Sequence, residues 1–253
     1  MQMPDFTVSG RRALFTGAGR GIGLAMARAL AAGGAAVAIQ DIDLDVARRE
    51  ADAIKSAGGQ AFAFGGDLSD PALPDRLADE AVAALGGVDI LVNNGSIQSF
   101  GTFTEFTAER MRQEMEANFV APTRLCQRLL PTMAERGWGR VINLGSIQGL
   151  RGNASMAPYA ASRAAIANLT AGLAKRYGKD GITINCIAPG WFDTYRNRTD
   201  LKDEATKQER SKFLPLRRLG QPEDCAGLCL LLCSQAGSYI TGQTLCVDGG
   251  MSI

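Results

Sequence analysis

Tyr159 and Arg163 stand four residues apart in the stretch Tyr159-Ala-Ala-Ser-Arg163, a spacing that places both side chains on one face of a helix. A phenol with a pKa of about 10 is a poor base at neutral pH. A permanent cation beside it stabilises the phenolate and lowers that pKa. The pair therefore predicts a tyrosine that exchanges a proton with a substrate, and Ser146 supplies a hydroxyl that can polarise a carbonyl or position an alcohol.

A glycine-rich turn, Thr16-Gly17-Ala18-Gly19-Arg20-Gly21-Ile22-Gly23, follows a short apolar run and precedes a helical pattern. Glycines let the backbone turn tightly and approach a pyrophosphate, which the N–H groups of a helix N-terminus then bind. Asp41 ends the next apolar run, where a carboxylate accepts bonds from the adenosine ribose. Its charge repels a 2′-phosphate, so we expect NAD rather than NADP. Arg20 acts in the opposite direction, because basic residues in this turn often bind phosphates.

Short apolar runs alternate with helical patterns along the chain, which predicts an α/β protein with a parallel sheet covered on both faces. Right-handed crossovers then give a doubly wound (Rossmann) sheet, here one domain over residues 1–253 with about seven strands. The strands are predicted at 13–15, 36–39, 61–64, 88–92, 140–144, 182–187 and 244–247, and the helices at 22–32, 43–57, 71–85, 105–117, 118–136, 157–177 and 222–233.

Residues 191–214 interrupt this alternation with a polar and charged segment between the sixth strand and the last helix. The segment follows the carboxyl end of a strand, where ligands bind in such sheets. We interpret it as a substrate lid; a plain surface insertion is the alternative.

These motifs, spread over nearly the whole chain, resemble those of the short-chain dehydrogenase/reductase family. Asp67-Leu68 is similar to the pair that flanks the adenine, and Pro189–Thr194 is similar to the segment that faces the nicotinamide. Asn93-Asn94-Gly95-Ser96 resembles the usual Asn-Asn-Ala-Gly with its last two residues altered. Val247-Asp248-Gly249-Gly250 matches the usual ending.

The resemblance implies a role for each catalytic candidate. Tyr159 is the acid/base, Ser146 bonds the substrate oxygen, and Asn118 holds a water relay. Arg163 departs from the family signature, which has lysine there; that cation lowers the tyrosine pKa and holds the nicotinamide ribose. An arginine keeps the charge, but its pKa above about 12 makes it a poor member of a proton relay. We expect hydride transfer to be slowed or its pH optimum moved.

Two other functions stay open. Halohydrin dehalogenases resemble this family, carry a Ser-Tyr-Arg triad that Ser146, Tyr159 and Arg163 match, and use no nicotinamide. Their cofactor site is filled with bulky residues, however, whereas here the glycines and Asp41 remain. The third hypothesis is a protein that binds NAD without turnover, as an oligomeric scaffold or sensor.

The main hypothesis is an NAD-dependent oxidoreductase that interconverts a secondary alcohol and a ketone, on a polyol, sugar or sugar acid. Asn118, Ser146, Tyr159 and Arg163 form the catalytic set. The implied cofactor-binding residues are Gly17, Arg20, Gly21, Ile22, Gly23, Asp41, Asp67, Leu68, Asn94, Tyr159, Arg163, Pro189, Gly190, Phe192 and Thr194. The candidate substrate residues are Ser146, Gln148, Gln98, Asn153, Trp191 and Arg196.

Composition excludes several classes. There are 27 basic and 26 acidic residues, a balance that argues against a nucleic-acid or membrane partner. No histidine is present, which excludes Ser-His-Asp catalysis, and we expect no metal site. Cys225, Cys229 and Cys233 are interpreted as buried small hydrophobes in a reducing cytosol. Residues 1–6 predict no secretory signal, so we expect a cytoplasmic protein. The family resemblance implies a homotetramer.

Overall fold

Seven strands form one parallel sheet in the computed structural model, which describes residues 4–253. Residues 1–3, part of the segment considered for a secretory signal, lie outside the described residues. The strands are β1 Arg12–Thr16, β2 Ala36–Asp41, β3 Gln60–Gly65, β4 Ile90–Asn93, β5 Gly139–Leu144, β6 Ile182–Pro189 and β7 Thr244–Val247. Their order across the sheet is β3-β2-β1-β4-β5-β6-β7. The predicted doubly wound sheet is thereby confirmed.

Helices connect the strands and cover both faces of the sheet. They are α1 Gly21–Ala32, α2 Leu44–Ser56, α3 Leu73–Leu85, α4 Ala108–Met115, α5 Ala121–Glu135, α6 Ile147–Arg151, α7 Ala157–Tyr177, α8 Glu204–Ser211 and α9 Glu223–Cys233. Between α4 and α5 the segment Glu116–Val120 is π-helical, so the boundary predicted at residue 117 falls inside an irregular turn.

Two of these helices, α6 and α8, were not predicted. α6 has only five residues, too few for an apolar period to show. α8 buries none of its residues, so its sequence carries no apolar stripe. α8 lies within the predicted lid segment, which is therefore partly helical.

Each strand contributes to two cores because successive side chains point to opposite faces. Phe15 of β1 packs into one cluster with α1 and α9 residues such as Leu30 and Leu232. Its neighbour Leu14 packs into the other cluster, with α3 and α5 residues such as Leu77 and Leu125. These cores fix the helices against the sheet and so set where the strand ends point.

The sheet reverses its direction of winding between β1 and β4. β1 pairs with β2 on one side and with β4 on the other. The crevice outside the carboxyl ends of such strands is where ligands bind in open α/β sheets. The glycine turn follows β1, and Asn94 follows β4, so both lie at this crevice.

The cysteines are free, and five of the six are buried; Cys246 is exposed. Burial raises the pKa of the Cys126 thiol to about 12 and that of the Cys225 thiol to about 12. Between residues 4 and 253 no cluster of three or more metal-binding side chains occurs. Within the same range, none of the helices combines the length and apolar character needed to cross a membrane.

Candidate active site

The glycine turn leaves the N-terminus of α1 open to the crevice. Gly17 and Gly21 have φ values of +60° and +58°, a conformation that favours glycine. A Cβ on Gly23 would lie 2.4 Å from the Asn94 side-chain nitrogen, so only glycine fits there. Arg20 precedes the helix and makes no side-chain cap. The free N–H groups of the first turn are thus able to bind a phosphate.

Asp41 lies at the end of β2 beside this turn, with its side chain already oriented. Its Oδ2 accepts a hydrogen bond from the Gly19 N–H at 3.0 Å, and its Oδ1 accepts one from the Asp43 N–H at 3.1 Å. The preceding residue, Gln40, accepts from the Gly17 N–H at 3.0 Å and donates to the Gly66 carbonyl at 2.7 Å. Gln40 therefore ties the glycine turn to β3, a role that sequence reasoning missed.

Ser146 lies just beyond β5 and caps α6. Its Oγ accepts a hydrogen bond from the Gln148 N–H at 3.1 Å. One turn later, a Cβ on Gly149 would lie 2.7 Å from the backbone carbon of Arg163. The glycine thus lets α6 lie directly against α7, which brings Ser146 to the face of α7 that carries Tyr159.

Arg163 is buried and held by the backbone of β5. Its Nη1 donates to the Leu144 carbonyl at 2.7 Å, and the residue is 2% exposed. Its guanidinium carbon lies 5.0 Å from the centre of the Tyr159 ring. Its Nε has no hydrogen-bond partner within residues 4–253. The predicted helical spacing therefore does bring cation and phenol together.

Tyr159 is also buried, and opposing effects act on its phenol. Burial raises the pKa of Tyr159, because a phenolate is poorly solvated there. The positive charges of Arg163 and Arg196, with further stabilisation from the Arg163 and Ser146 side chains, outweigh burial. The net effect is a Tyr159 pKa below its ordinary value, as a proton-accepting phenol requires.

Asn118 lies in the π-helical segment between α4 and α5, behind the site. Its Oδ1 accepts from the Ile97 N–H at 2.9 Å, and its Nδ2 donates to the Ile97 carbonyl at 2.8 Å. The same Nδ2 donates to Ser162 Oγ at 3.1 Å, and Ser162 Oγ donates to the Tyr159 carbonyl at 2.7 Å. Asn118 thus connects the loop that follows β4 to the turn of α7 that holds Tyr159.

A single cavity of about 650 Å³ joins the glycine turn to Tyr159. Every predicted cofactor and substrate residue lines it, whereas Asn118 does not. The cavity also exposes polar side chains that were not predicted as site residues. These are Gln40, Ser96, Ser155, Asn197, Asp200 and Arg210.

The lid segment closes one side of this cavity. Arg196 donates from Nη1 to Ser96 Oγ at 2.5 Å and from Nη2 to the Ser96 carbonyl at 2.7 Å. Lys207 of α8 pairs with Asp193 at 2.7 Å. The altered motif residue Ser96 was the one sequence signal for this contact, but its partner lies a hundred positions away.

Comparisons with known proteins agree with this geometry. A model of the family described as enoyl-(acyl carrier protein) reductase matches residues 17–252. The 7alpha-hydroxysteroid dehydrogenase of Escherichia coli is 38% identical over 96% of this chain and 94% of its own length. The crystal structure of a gluconate 5-dehydrogenase from Burkholderia cenocepacia, in complex with NADP and tartrate, superposes with a TM-score of 0.91 at 37% identity, covering 98% of this chain and 97% of that one.

A human relative from the same family has a longer chain. Dehydrogenase/reductase SDR family member 4 of Homo sapiens is 37% identical over 70% of this chain, and the match spans 64% of the relative's length. The family model covers residues 17–252, and the Escherichia coli relative matches nearly the whole chain. The chain therefore belongs to the short-chain dehydrogenase/reductase family.

Proposed function

We propose that the protein is a nicotinamide-dependent oxidoreductase that interconverts a secondary alcohol and a ketone. The observation that carries the proposal is that Ser146, Tyr159 and Arg163 line the same cavity as the glycine turn and Asp41. The cavity thus offers a dinucleotide site and a proton-transfer site in continuity. A bound nicotinamide dinucleotide supplies the hydride acceptor or donor.

Residues of this chain transfer the hydroxyl proton of the substrate. Tyr159, its pKa lowered, removes the hydroxyl proton of an alcohol, or returns it to a ketone oxygen. The Ser146 hydroxyl holds that oxygen, and Arg163 stabilises the phenolate. Asn118 acts from behind as a positioning residue, since its bonds reach Ile97 and Ser162 and it does not line the cavity.

For the cofactor we propose NAD over NADP. The Asp41 carboxylate lies where the adenosine ribose binds in such sheets, and a 2′-phosphate there would meet its negative charge. Arg20, the nearest cation of the turn, is already paired with Asp43 at 3.2 Å. The Burkholderia cenocepacia relative has NADP bound, so both cofactors belong in any assay.

For the substrate we propose a polar molecule, namely a polyol, sugar or sugar acid. Gln98, Gln148 and Asn153 line the same cavity as Ser146. Asn153 donates to the Gln148 side-chain oxygen at 3.2 Å, which fixes both amides. Trp191 and Arg196 supply an aromatic and a charged wall from residues 191–214, which we propose act as a lid.

We also propose a homotetramer, as the family resemblance implies. Tyr239 and Ile253 near the C-terminus are fully exposed. On α7, the small residues Ala161 and Ala164 are exposed on the side away from the sheet, where another helix can approach closely. Light scattering after size exclusion measures this directly.

One assay series tests the proposed function. Purified protein is offered NAD and NADP with secondary alcohols, including polyols and sugar acids, and reduced cofactor is followed at its absorbance maximum. Halide release from a vicinal haloalcohol and cofactor binding without turnover are measured in parallel. Reduced cofactor with an alcohol supports the proposal. Halide release alone, or binding alone, would replace it with one of the two alternatives.

A further inference from the structure

The charged side chains of the cavity separate by position. Asp41 at the end of β2 and Asp67 after β3 line the cavity with Arg20 of the glycine turn. Arg163, Arg196 and Arg210 line it with Tyr159 and the lid, where Asp200 is the one acidic lining residue among those described. Three cations against one carboxylate leave a surplus of positive charge in the part of the cavity open to substrate.

These three arginines lack acidic partners. Within residues 4–253, none has a carboxylate oxygen within 4.0 Å, whereas the cavity's other arginine, Arg20, pairs with Asp43. Arg163 is buried, whereas Arg196 and Arg210 are exposed on the lid side of the cavity. An anionic group on the substrate would supply the counter-charge that these two guanidinium groups lack.

Arg196 is the arginine best placed to bind such a group. Ser96 accepts one bond from Nη1 and one from Nη2, which uses two of the five guanidinium donors and fixes the plane of the group. Three donors stay available. Ser96 occupies a position where the family motif has glycine. The hydrogen bond from Arg196 Nη1 to the Ser96 hydroxyl is therefore a feature of this chain.

The Arg196–Ser96 contact lies at the cavity that Tyr159 also lines. The positive charge of Arg196 helps to lower the pKa of Tyr159. Arg210 of α8 stacks on Trp191, with its guanidinium carbon 5.1 Å from the ring centre, and is the second lid cation that lines the cavity. Arg163 is anchored on Leu144 instead and serves the phenol.

We propose that Arg196, oriented by Ser96, binds the carboxylate of the substrate, and that the substrates of this protein are hydroxy acids and the matching keto acids. The inference rests on the proposed oxidoreductase function and selects acids over neutral polyols within it. Planar guanidinium and carboxylate groups form paired hydrogen bonds, which gives the site specificity for this end of the molecule.

The test compares gluconate with glucitol, which share their hydroxyl configuration and differ only in having a carboxylate or a hydroxymethyl group at one end. Each is titrated calorimetrically into protein loaded with NADH, so that no alcohol oxidation occurs. We expect gluconate to bind at least about tenfold more tightly, as one charged hydrogen-bonding contact provides. Arg196→Gln should weaken gluconate binding by about 10- to 100-fold and leave glucitol nearly unchanged.

Matched variants distinguish carboxylate binding by Arg196 from a general disturbance of the lid. Arg198→Gln changes a neighbouring lid arginine that stacks on Tyr195 and does not line the cavity, and it should bind gluconate like the unaltered protein. Ser96→Gly should give a loss smaller than that of Arg196→Gln, because the carbonyl contact survives.

Three results would overturn the inference: equal binding of the two compounds, equal losses in the Arg196 and Arg198 variants, or no binding of either compound. None of these touches the proposed function, which fails only if no alcohol in the wider assay series reduces the cofactor.

Discussion

The guanidinium carbon of Arg163 lies 5.0 Å from the centre of the Tyr159 ring, within the distance of a cation–π contact. The contact is held from the opposite side, because Arg163 Nη1 donates to the Leu144 carbonyl at the end of β5. A carbonyl fixes the guanidinium without neutralising it. Its charge therefore stays available to stabilise the phenolate of Tyr159.

Replacing Arg163 by lysine tests whether the arginine slows turnover. Lysine keeps the positive charge and can pass a proton, which a guanidinium does poorly. We expect Arg163→Lys to raise kcat for alcohol oxidation with NAD, measured at saturating substrate over a range of pH. A kcat that falls or stays the same would show that the protein is built around the guanidinium, with its bond to Leu144.

Ser146 has a structural and a chemical role that substitutions can separate. Ser146→Ala removes both the cap of α6 and the hydroxyl proposed to hold the substrate oxygen, so we expect kcat to fall by about 10²-fold or more and stability by about 1 kcal/mol. Ser146→Asn keeps a capping side chain. It should recover the thermal midpoint but not the activity; recovery of activity would remove the hydroxyl from the chemistry.

The cofactor preference depends on the charge of Asp41. Asp41→Asn keeps the shape of the side chain and an oxygen for the Gly19 or Asp43 N–H. Loss of the charge should raise kcat/KM for NADP by roughly tenfold, equivalent to about 1.4 kcal/mol, and change that for NAD less. If the unaltered protein already prefers NADP, Asp41 does not exclude the 2′-phosphate.

Asp89, just before β4, predicts an acid-sensitive fold. Burial raises the pKa of Asp89, but its bonds to Arg12 and the charges of Arg12 and Arg136 outweigh burial and lower it. A carboxyl with a lowered folded pKa stabilises the fold fully above its unfolded pKa of about 3.9. That stabilisation is lost as the pH falls through the folded pKa.

Urea denaturation of Asp89→Asn checks this. At pH 7 the variant should lose roughly 3 kcal/mol, because Arg12 keeps a partly buried charge without its partner. The difference from the unaltered protein should shrink as the pH falls below about 4. Asp52→Asn, which alters an exposed helix pair with Lys55, is the control and should change little. An equal loss at every pH would contradict the account.

Local patterns predicted most of the fold. The span 157–177 was predicted for α7, and the structure has α7 at Ala157–Tyr177. Strand positions agree to within two residues at each end, since buried parallel strands are continuously apolar and punctuated by glycine or polar residues. Tyr159 and Arg163 were paired correctly because they belong to one helix.

Contacts between distant segments were not predictable in this way. Ser96 and Arg196 meet across a hundred residues, and no periodicity links them. Gln40 lies inside an apolar strand, where its bonds to Gly17 and Gly66 depend on how β1 and β3 flank β2. In the sequence, such residues are visible only as departures from the apolar pattern or from the family motif. Their hydrogen-bond partners become known only from the fold.

The pH dependence of hydride transfer in Arg163→Met tests the central claim most directly. Alcohol oxidation needs Tyr159 as phenolate, so kcat/KM rises as the pH passes through its pKa. Removing the adjacent charge should raise that pKa, since burial then acts with less opposition. We predict that the rising limb moves to higher pH by about one unit or more, with cofactor binding checked separately by fluorescence. A limb that stays at the pH of the unaltered protein would contradict the account.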